Sequence, residues 1–319
     1  KTVQQKKSVP KKNEKAPAKY TVPQTLRGMK DILPKEQKYY SRMMKAAEGI
    51  AKAYGCEKID TPILEEASLF IRSIGKGTDV VDKEMYTLTD RDGSLLALRP
   101  ENTAAIVRAY INHGMHTQAQ PVKLWYWAPM FRHDRPQAGR FRQFHQFGAE
   151  VLGERTAVTD AELIVMAYNF LRDLGIESRV SINSIGTPED RARYTVELSG
   201  YFRSKRSYLS EDSKKRLQKN PLRILDSKAP EDQPIIEEAP QILDWLSEDA
   251  KKFFMNVLEY LDVSGVPYTL NPRLVRGLDY YTDTVFELYE DGVEEKAQGA
   301  LCGGGRYDLL VSDMGGRTT

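Results

Sequence analysis

Cysteine is scarce in this 319-residue chain, which contains only Cys56 and Cys302. Two thiols are too few for a disulfide framework or a cysteine-rich zinc site. The sequence also lacks an apolar run of the ~20 residues that a membrane helix needs, and no apolar secretory signal is recognisable near its start. With 40% hydrophobic residues, it predicts a folded cytoplasmic protein that does not contact a membrane.

Positive charge is concentrated at the amino-terminal end. Residues 1–20 contain seven lysines and one glutamate, whereas the whole chain has a net charge of only +2. The same stretch lacks periodic apolar positions, which is typical of disorder. We therefore predict a disordered basic tail over residues 1–24, which either adds non-specific affinity for a polyanion or is simply solvated.

Periodicity predicts both helices and strands in the rest of the chain. Apolar residues recur at helical spacing over residues 36–54, and apolar runs at 122–131 and 141–152 indicate strands. Asp-Gly pairs at 92–93 and 291–292 predict hairpin turns between further strands.

Capping residues predict where other elements begin. Asn102 is the expected N-cap of a helix that runs to Ile111. Thr159 and Glu162 form the expected capping box of a helix that ends near Gly175. Further strands are expected in four ranges, which are residues 180–185, 267–271, 284–289 and 296–301.

Residues 187–265 are charged and helical in pattern, and we predict that they form an inserted helical subdomain. They separate a first part of the core, residues 25–186, from a second part, residues 266–319. Hairpins and long strands, rather than alternating βαβ units, favour an α+β fold. We expect an antiparallel sheet flanked by helices.

The most informative stretch is FRHDRPQAGRFRQFHQFGAE, residues 131–150, which contains four arginines within eleven positions. Arginine forks bind phosphates and carboxylates well. One face of the second strand carries, at alternate positions from 142 to 150, Arg, Phe, Gln, Gly and Glu. Gly148 would leave a gap for a small molecule. The pattern fits either a site for a zwitterion joined to a phosphate or an exposed polar face.

These residues resemble motif 2 of class II aminoacyl-tRNA synthetases, in the histidyl form found in bacteria. LVRGLDYYTDTVFEL (274–288) and ALCGGGRYDLL (300–310) resemble the two histidine-specific signatures of that family. LRPENTA (98–104) resembles its substrate-binding loop, although Asn102 stands where bacterial members usually have Gly. The helix at 36–54 and its continuation to Pro62 resemble motif 1, the dimer-interface element. The resemblance extends from about Thr25 to Thr319.

The resemblance implies a class II synthetase-like sheet and a histidine–tRNA ligase that works in two steps. The carboxylate of histidine attacks the α-phosphorus of ATP, and the terminal ribose hydroxyl of tRNA then takes the histidyl group. The implied partners are histidine, ATP and tRNA(His), with a second copy of the chain in a homodimer. ATP would enter as its Mg²⁺ complex, with unknown protein ligands for the metal and without a tightly bound prosthetic group.

The resemblance also implies roles for particular residues. Arg132 and Arg276 would be the catalytic residues that bind the α-phosphate from opposite sides. The side chains implied for histidine binding are Glu101, Thr103 and Gln146 at the ammonium group, and Glu150, Tyr281 and Tyr307 at the imidazole. ATP would contact Arg132, Arg140, Phe144 and Arg276. The tRNA acceptor end would contact Arg135 and Gln137.

In the family, motif 3 and an anticodon-binding domain follow the position at which this sequence ends. We therefore expect an open sheet edge and impaired ATP binding by these residues alone. A second hypothesis is a synthetase-like regulatory subunit of ATP phosphoribosyltransferase that senses histidine. A tRNA-binding module of a stress kinase and a purely structural α+β domain are further alternatives. The ligase is favoured by the long helical insertion and by the presence of Arg132, Gln146, Glu150, Arg276 and Tyr281.

Overall fold

The computed structural model describes residues 22–134, 139–292 and 299–317. The predicted tail lies outside the described residues except for its last three positions. In the described residues the strands are β1 (Glu57–Lys58), β2 (Leu64–Glu66), β3 (Thr87–Thr89), β4 (Leu95–Leu98), β5 (Val122–Phe131), β6 (Gln143–Leu152), β7 (Ser178–Ser184), β8 (Tyr268–Leu270), β9 (Thr282–Glu290) and β10 (Cys302–Arg306).

Helices precede, connect and cover these strands. They are α1 (Pro34–Ala53), α2 (Ala67–Ile74), α3 (Thr103–Asn112), α4 (Ala157–Asp173), α5 (Pro188–Ser204), α6 (Glu211–Lys219), α7 (Gln233–Glu237), α8 (Glu248–Val263) and α9 (Leu310–Asp313). None of them is long and apolar enough to cross a membrane, within the part of the chain that the structure describes.

The strands form three sheets of mostly antiparallel pairs. Their orders are β1-β5-β6, β10-β9-β7-β8 and β2-β4-β3. Among the strands of the described ranges, only the pairs β1–β5 and β7–β8 are parallel. The predicted α+β class is confirmed, and the hairpin predicted at residues 92–93 joins β3 to β4.

A long hairpin of β5 and β6 carries the arginine-rich loop. Its ten residue pairs run without a register shift from Val122 opposite Leu152 to Phe131 opposite Gln143. In this register Tyr126 lies opposite Gly148. A Cβ atom on Gly148 would lie 2.2 Å from Cζ of Tyr126. The gap predicted at Gly148 is therefore occupied by the Tyr126 ring, and the prediction of an empty space there was wrong.

Asn102 occupies the predicted N-cap position of α3, but its side chain makes no capping hydrogen bond, because its Oδ1 accepts a hydrogen bond from Thr61 instead. The carboxylate of Glu101 accepts from the first backbone N–H groups of that helix. The capping box predicted at Thr159 and Glu162 was wrong, because the N-cap of α4 is Thr156.

The last predicted strand is shifted along the chain. We expected it at residues 296–301, of which 296–298 lie outside the described residues, but β10 begins at Cys302. The glycine run at 303–305 is therefore strand backbone and pairs with β9. Sequence patterns based on β-branched and aromatic residues miss such a strand, because glycine has no β-propensity of its own.

All elements between β7 and β8 are helical, and every residue of this stretch is described. The last of them, α8, packs on α4, and its buried face joins the apolar cluster of β7 and β9. The earlier helices, α5 to α7, pack around Tyr194, Leu198 and Phe202. The division of the chain at residues 187 and 265 stays a prediction.

Replacing Gly148 by alanine tests the close packing of the β5–β6 hairpin. The new methyl group would overlap the buried Tyr126 ring, so we expect Gly148→Ala to lower the free energy of unfolding by about 1–3 kcal/mol. Gly200→Ala is the matched control, because Gly200 lies in α5 with nothing within 4 Å of the new Cβ. That variant should be neutral or more stable by up to about 1 kcal/mol. Urea denaturation measures both, and equal effects would contradict the packing described.

Candidate active site

A cavity of about 480 Å³ is bordered by β6 on one side and β10 on the other. Eight side chains that the sequence analysis singles out line this cavity, and they come from five separate stretches of chain. They are Glu101, Thr103, Arg132, Gln146, Glu150, Arg276, Tyr281 and Tyr307. We call it the active-site cavity.

The Glu150 carboxylate is held from both sides in the active-site cavity. Its side chain is buried on β6. The Thr103 hydroxyl donates to one carboxylate oxygen at 2.9 Å, and the Tyr307 hydroxyl donates to the other. Burial raises the pKa of Glu150 to about 7, although these two hydrogen bonds act in the opposite direction. The carboxyl group therefore changes charge close to neutral pH.

Glu101 is held by the start of α3. The backbone N–H groups of Thr103 and Ala104 donate to its two oxygens at 2.7 and 3.0 Å. Burial raises the pKa of Glu101, while these backbone hydrogen bonds and the nearby Arg132 lower it. The N-terminal end of a helix favours a negative charge. This arrangement orients a second buried carboxyl group beside Glu150.

Arg132 follows the last residue of β5. Its Nε donates to the carbonyl oxygen of Pro100 at 2.8 Å. The guanidinium carbon lies 5.4 Å from the ring centroid of Phe144. Phe144 itself lines a second, smaller cavity of about 170 Å³. The backbone carbonyl and the aromatic ring together fix the guanidinium.

Arg276 enters the active-site cavity from the loop before β9. It forms an ion pair with Glu287, which also accepts a hydrogen bond from the Tyr289 hydroxyl. The Arg276 Nε–H is buried and has no acceptor among the described residues. A Cβ atom on Gly303 would lie 2.7 Å from Arg276 Nη1. A side chain at this position of β10 would displace the guanidinium, which lies directly over the strand.

Sequence reasoning did not single out Tyr126, Tyr280 or Glu287 as site residues. Tyr126 and Tyr280 are buried and line the active-site cavity, and Glu287 forms the ion pair with Arg276. The ring centroid of Tyr280 lies 4.7 Å from that of Tyr281 and 5.8 Å from that of Tyr307. The β5–β6 register could have indicated Tyr126, since it lies opposite Gly148. No sequence signal distinguishes Glu287 from the other acidic residues of β9.

Some predicted contacts are not brought to the active-site cavity. Arg140 is mostly exposed and forms an ion pair with Asp134 at 3.2 Å. Arg135 and Gln137 lie outside the described residues. His145 was not a predicted site residue, but it borders the cavity, and its ring packs between those of Tyr40 and Trp127. Within the described ranges, no group of three or more His, Cys, Asp or Glu residues could hold a metal ion.

Comparison with solved structures identifies the class of fold. The chain superimposes on apo histidyl-tRNA synthetase from Staphylococcus aureus with a TM-score of 0.74 and 36% identity, covering 93% of this chain and 69% of that one. A Bacillus halodurans protein described as an ATP phosphoribosyltransferase regulatory subunit/histidyl-tRNA synthetase gives a TM-score of 0.64 at 24% identity, covering 93% of this chain and 79% of that one. The second match shows the fold alone. The predicted class II synthetase-like fold is confirmed.

Sequence comparison identifies the family within that class. A family model described as histidyl-tRNA synthetase matches residues 28–186 and 205–319. The histidine–tRNA ligase of Alkalilimnicola ehrlichii is 48% identical over 296 residues, which are 92% of this chain and 68% of that protein. The ligase of Halorhodospira halophila is 48% identical over 297 residues, covering 93% and 70% of the two chains. The chain belongs to the histidyl-tRNA synthetase family, and the prediction of an aminoacyl-tRNA ligase for histidine is confirmed.

Glu150→Gln tests whether the buried carboxyl group carries the raised pKa. A carboxyl whose pKa is raised from 4.5 to about 7 on folding favours the folded state at low pH, and this contribution is lost as the pH rises through 7. Glutamine cannot ionise. We therefore expect the free energy of unfolding of the variant, relative to that of wild type, to rise by about 1–3 kcal/mol between pH 5 and pH 8.

Urea denaturation at both pH values measures this gain. Glu259→Gln is the control, because Glu259 is exposed on α8 and its replacement should shift stability equally at the two values. A stability difference for Glu150→Gln that does not change with pH would contradict the assigned protonation behaviour.

Proposed function

We propose that the active-site cavity carries out both steps of histidine–tRNA ligation, with each predicted residue in the role that the family implies. The observation that carries the proposal is the convergence of groups from distant stretches of chain. Arg132 and Arg276 line the same cavity as the doubly hydrogen-bonded Glu150. Cationic groups for a phosphate thus lie beside a buried carboxylate for a polar ring.

In this proposal, Glu150 and Tyr281 bind the two ring nitrogens of histidine. An imidazole has one donor and one acceptor nitrogen, and a carboxylate with a phenol can satisfy both. Thr103 and Tyr307 already donate to Glu150, so the carboxylate is oriented before the ligand arrives. Side chains that lack a polar edge would leave these buried groups unpaired, and this gives specificity.

The α-ammonium group of histidine is assigned to Glu101, Thr103 and Gln146. A desolvated cation needs a paired carboxylate, and Glu101 supplies one at the start of α3. The Thr103 hydroxyl donates to Glu150, so its oxygen lone pairs stay available to accept from the ammonium. Gln146 lines the active-site cavity on the same strand as Glu150.

Arg132 and Arg276 are assigned to the α-phosphate of ATP. The buried Arg276 Nε–H without an acceptor supports this role, because a phosphate oxygen would complete its hydrogen bonding. Mg²⁺ would arrive bound to the phosphates of ATP. Arg140 and Phe144 remain the proposed contacts for the rest of ATP. Phe144 lies next to the Arg132 guanidinium.

The proposed reaction requires no nucleophile from the protein. A carboxylate oxygen of histidine forms a bond to the α-phosphorus, and the bond to the bridging oxygen breaks as pyrophosphate leaves. A ribose hydroxyl of tRNA(His) then attacks the histidyl carbonyl carbon, AMP leaves, and the hydroxyl proton passes to the released phosphate. Fixed guanidinium groups accelerate both steps by stabilising charge that shifts between oxygens.

Further parts of the proposal concern partners and organisation. Arg135 and Gln137 would contact the tRNA acceptor end, and residues 187–265 would form the inserted subdomain. A second copy of the chain would cover apolar side chains that are exposed on or next to α1 and the sheet of β2, β3 and β4, namely Leu33, Tyr39, Met44, Ile63, Leu64, Leu88 and Leu95. The cytoplasm is the proposed location, because tRNA charging serves protein synthesis there.

The function is tested by histidine-dependent exchange of labelled pyrophosphate into ATP. We expect exchange by the full-length wild-type protein and a loss on the order of 100-fold or more in its Arg276→Ala variant, since a charge-stabilising donor is removed. Histidine binding, measured by calorimetry, should remain nearly intact in this variant. Arg172→Ala, which changes an exposed arginine of α4, should exchange normally. Histidine binding without exchange by the wild type would favour the regulatory alternative.

Glu150→Gln tests whether histidine and the phosphate of ATP are bound by different side chains. The amide keeps the size of the side chain but loses the charge and one acceptor oxygen, so we expect histidine affinity to fall by roughly 10-fold or more. ATP affinity should change much less, because Arg132 and Arg276 are untouched. Calorimetric titration with each ligand checks this, and equal losses for both ligands would contradict the assignment.

A further inference from the structure

The loop that carries both Arg276 and Tyr281 has no regular structure of its own. We call residues 274–281 the signature loop. It lies between β8 and β9, and none of its residues belongs to a helix or strand. Several of its backbone carbonyl groups instead accept hydrogen bonds from side chains elsewhere in the chain. Its position thus depends on those side chains, because buried carbonyl groups need partners.

One of these side chains is Arg223, from a short helical turn that follows α6. Its Nη1 donates to the carbonyl oxygen of Arg276 at 3.2 Å, and its Nη2 donates to that of Gly277 at 2.8 Å. A single guanidinium therefore spans two successive carbonyl groups at the catalytic arginine. This contact requires the planar fork of arginine and cannot be reproduced by lysine.

A second arginine holds the other end of the signature loop. Arg191, on the first turn of α5, donates from Nη1 to the carbonyl oxygen of Tyr281 at 2.8 Å. Its helix is fixed by a capping box of Thr187 and Asp190 and by the burial of Tyr194. The residue proposed to bind the imidazole ring is thus tied to the stretch of helices between β7 and β8.

Asp279 lies between these two contacts along the signature loop. Its carboxylate accepts from Nδ2 of Asn220 at 3.2 Å. Burial raises the pKa of Asp279, while the positive charges of Arg223 and Arg191 lower it. On its other side, the Asp279 backbone N–H donates to the carbonyl oxygen of Ile74 at the end of α2 at 3.0 Å. The signature loop is therefore held between α2 and the helical stretch.

Arg223 is itself held in place. Its backbone carbonyl accepts from Nη1 of Arg216 at 3.0 Å, and Arg216 forms an ion pair with Asp79 at 3.5 Å. The next residue, Ile224, is fully buried. The guanidinium of Arg223 therefore acts from a fixed backbone rather than from a loose surface segment.

We infer that Arg191 and Arg223 are positioning residues for the ligase reaction. They contact no group proposed to bind substrate and act through the backbone of the signature loop, which rests on the proposed roles of Arg276 and Tyr281. Arg223 sets the place of the catalytic guanidinium, and Arg191 sets that of the phenol at the imidazole. The helices between β7 and β8 thereby control the geometry of histidine activation.

Two alanine variants test this inference through different readouts. Arg223→Ala should lower the rate of pyrophosphate exchange on the order of 10- to 100-fold, because a small misplacement of a catalytic group is costly, and leave the Kd for histidine nearly unchanged. Arg191→Ala should instead weaken histidine binding by roughly 10-fold. Arg203→Ala is the matched control, since Arg203 lies on the same helix as Arg191 but is exposed. It should behave as wild type in both assays.

A double variant shows whether Arg223 acts through Arg276. Once Arg276 is alanine, removing Arg223 should reduce exchange little further, whereas independent roles would give multiplied losses. Arg223→Lys retains the positive charge, and its exchange rate should lie between those of wild type and Arg223→Ala. This variant also tests the inference if the alanine variant fails to fold.

Hydrogen exchange of the amides in residues 274–281 gives a readout that needs no activity. Exchange in this segment should be faster in Arg223→Ala than in wild type and unchanged in Arg203→Ala. Wild-type protection and wild-type activity in both arginine variants would overturn the inference while leaving the proposed function intact. Absence of activity in the wild type would instead reject the proposed function, and the protection data would still decide the role of the two arginines.

Discussion

The burial of the Glu150 carboxyl group is the constraint around which the active-site cavity is built. Removing a carboxylate from water is costly unless it is hydrogen-bonded, and the pKa raised to about 7 reflects that cost. Thr103 at the start of α3 and Tyr307 after β10 supply the two hydrogen bonds. A single carboxyl group on β6 thus joins stretches of chain on both sides of the cavity. Its oxygens are placed before any ligand arrives, at the expense of stability above neutral pH.

The two arginines of the cavity are likewise held by neighbouring groups before any ligand binds. Arg132 is fixed by the Pro100 carbonyl and by the ring of Phe144. Arg276 is fixed by Glu287, and the glycine at 303 provides the space in which it lies. Groups that are already oriented in a partly dry site stabilise developing charge without reorganising at the moment of reaction. This fits the proposed chemistry, in which arginines and carboxylates act and no side chain serves as a nucleophile.

Much of this arrangement could be predicted from the sequence, where a local pattern determines the outcome. The strand Val122–Phe131 and the α+β class follow from apolar runs and turn residues, and the eight residues that meet in the cavity follow from ordered family motifs. Predictions failed where tertiary contacts override local preference. Glu101 caps α3 in place of Asn102, Tyr126 fills the space beside Gly148, and the glycines at 303–305 form a strand. The contacts of Arg191 and Arg223 join residues far apart in sequence, and no spacing rule indicates them.

The central claim is that two guanidinium groups surround one phosphorus while Glu150 and Tyr281 bind the imidazole beside it. The most direct measurement is a crystal structure of the protein with a non-hydrolysable histidyl-sulfamoyl-adenosine, which mimics the adenylate. The account predicts that the sulfamoyl oxygens lie within hydrogen-bond distance of both Arg132 and Arg276, with the ring nitrogens at Glu150 and Tyr281. An analogue bound with its sulfamoyl group away from either arginine, or with its imidazole outside the Glu150 pocket, would contradict the account.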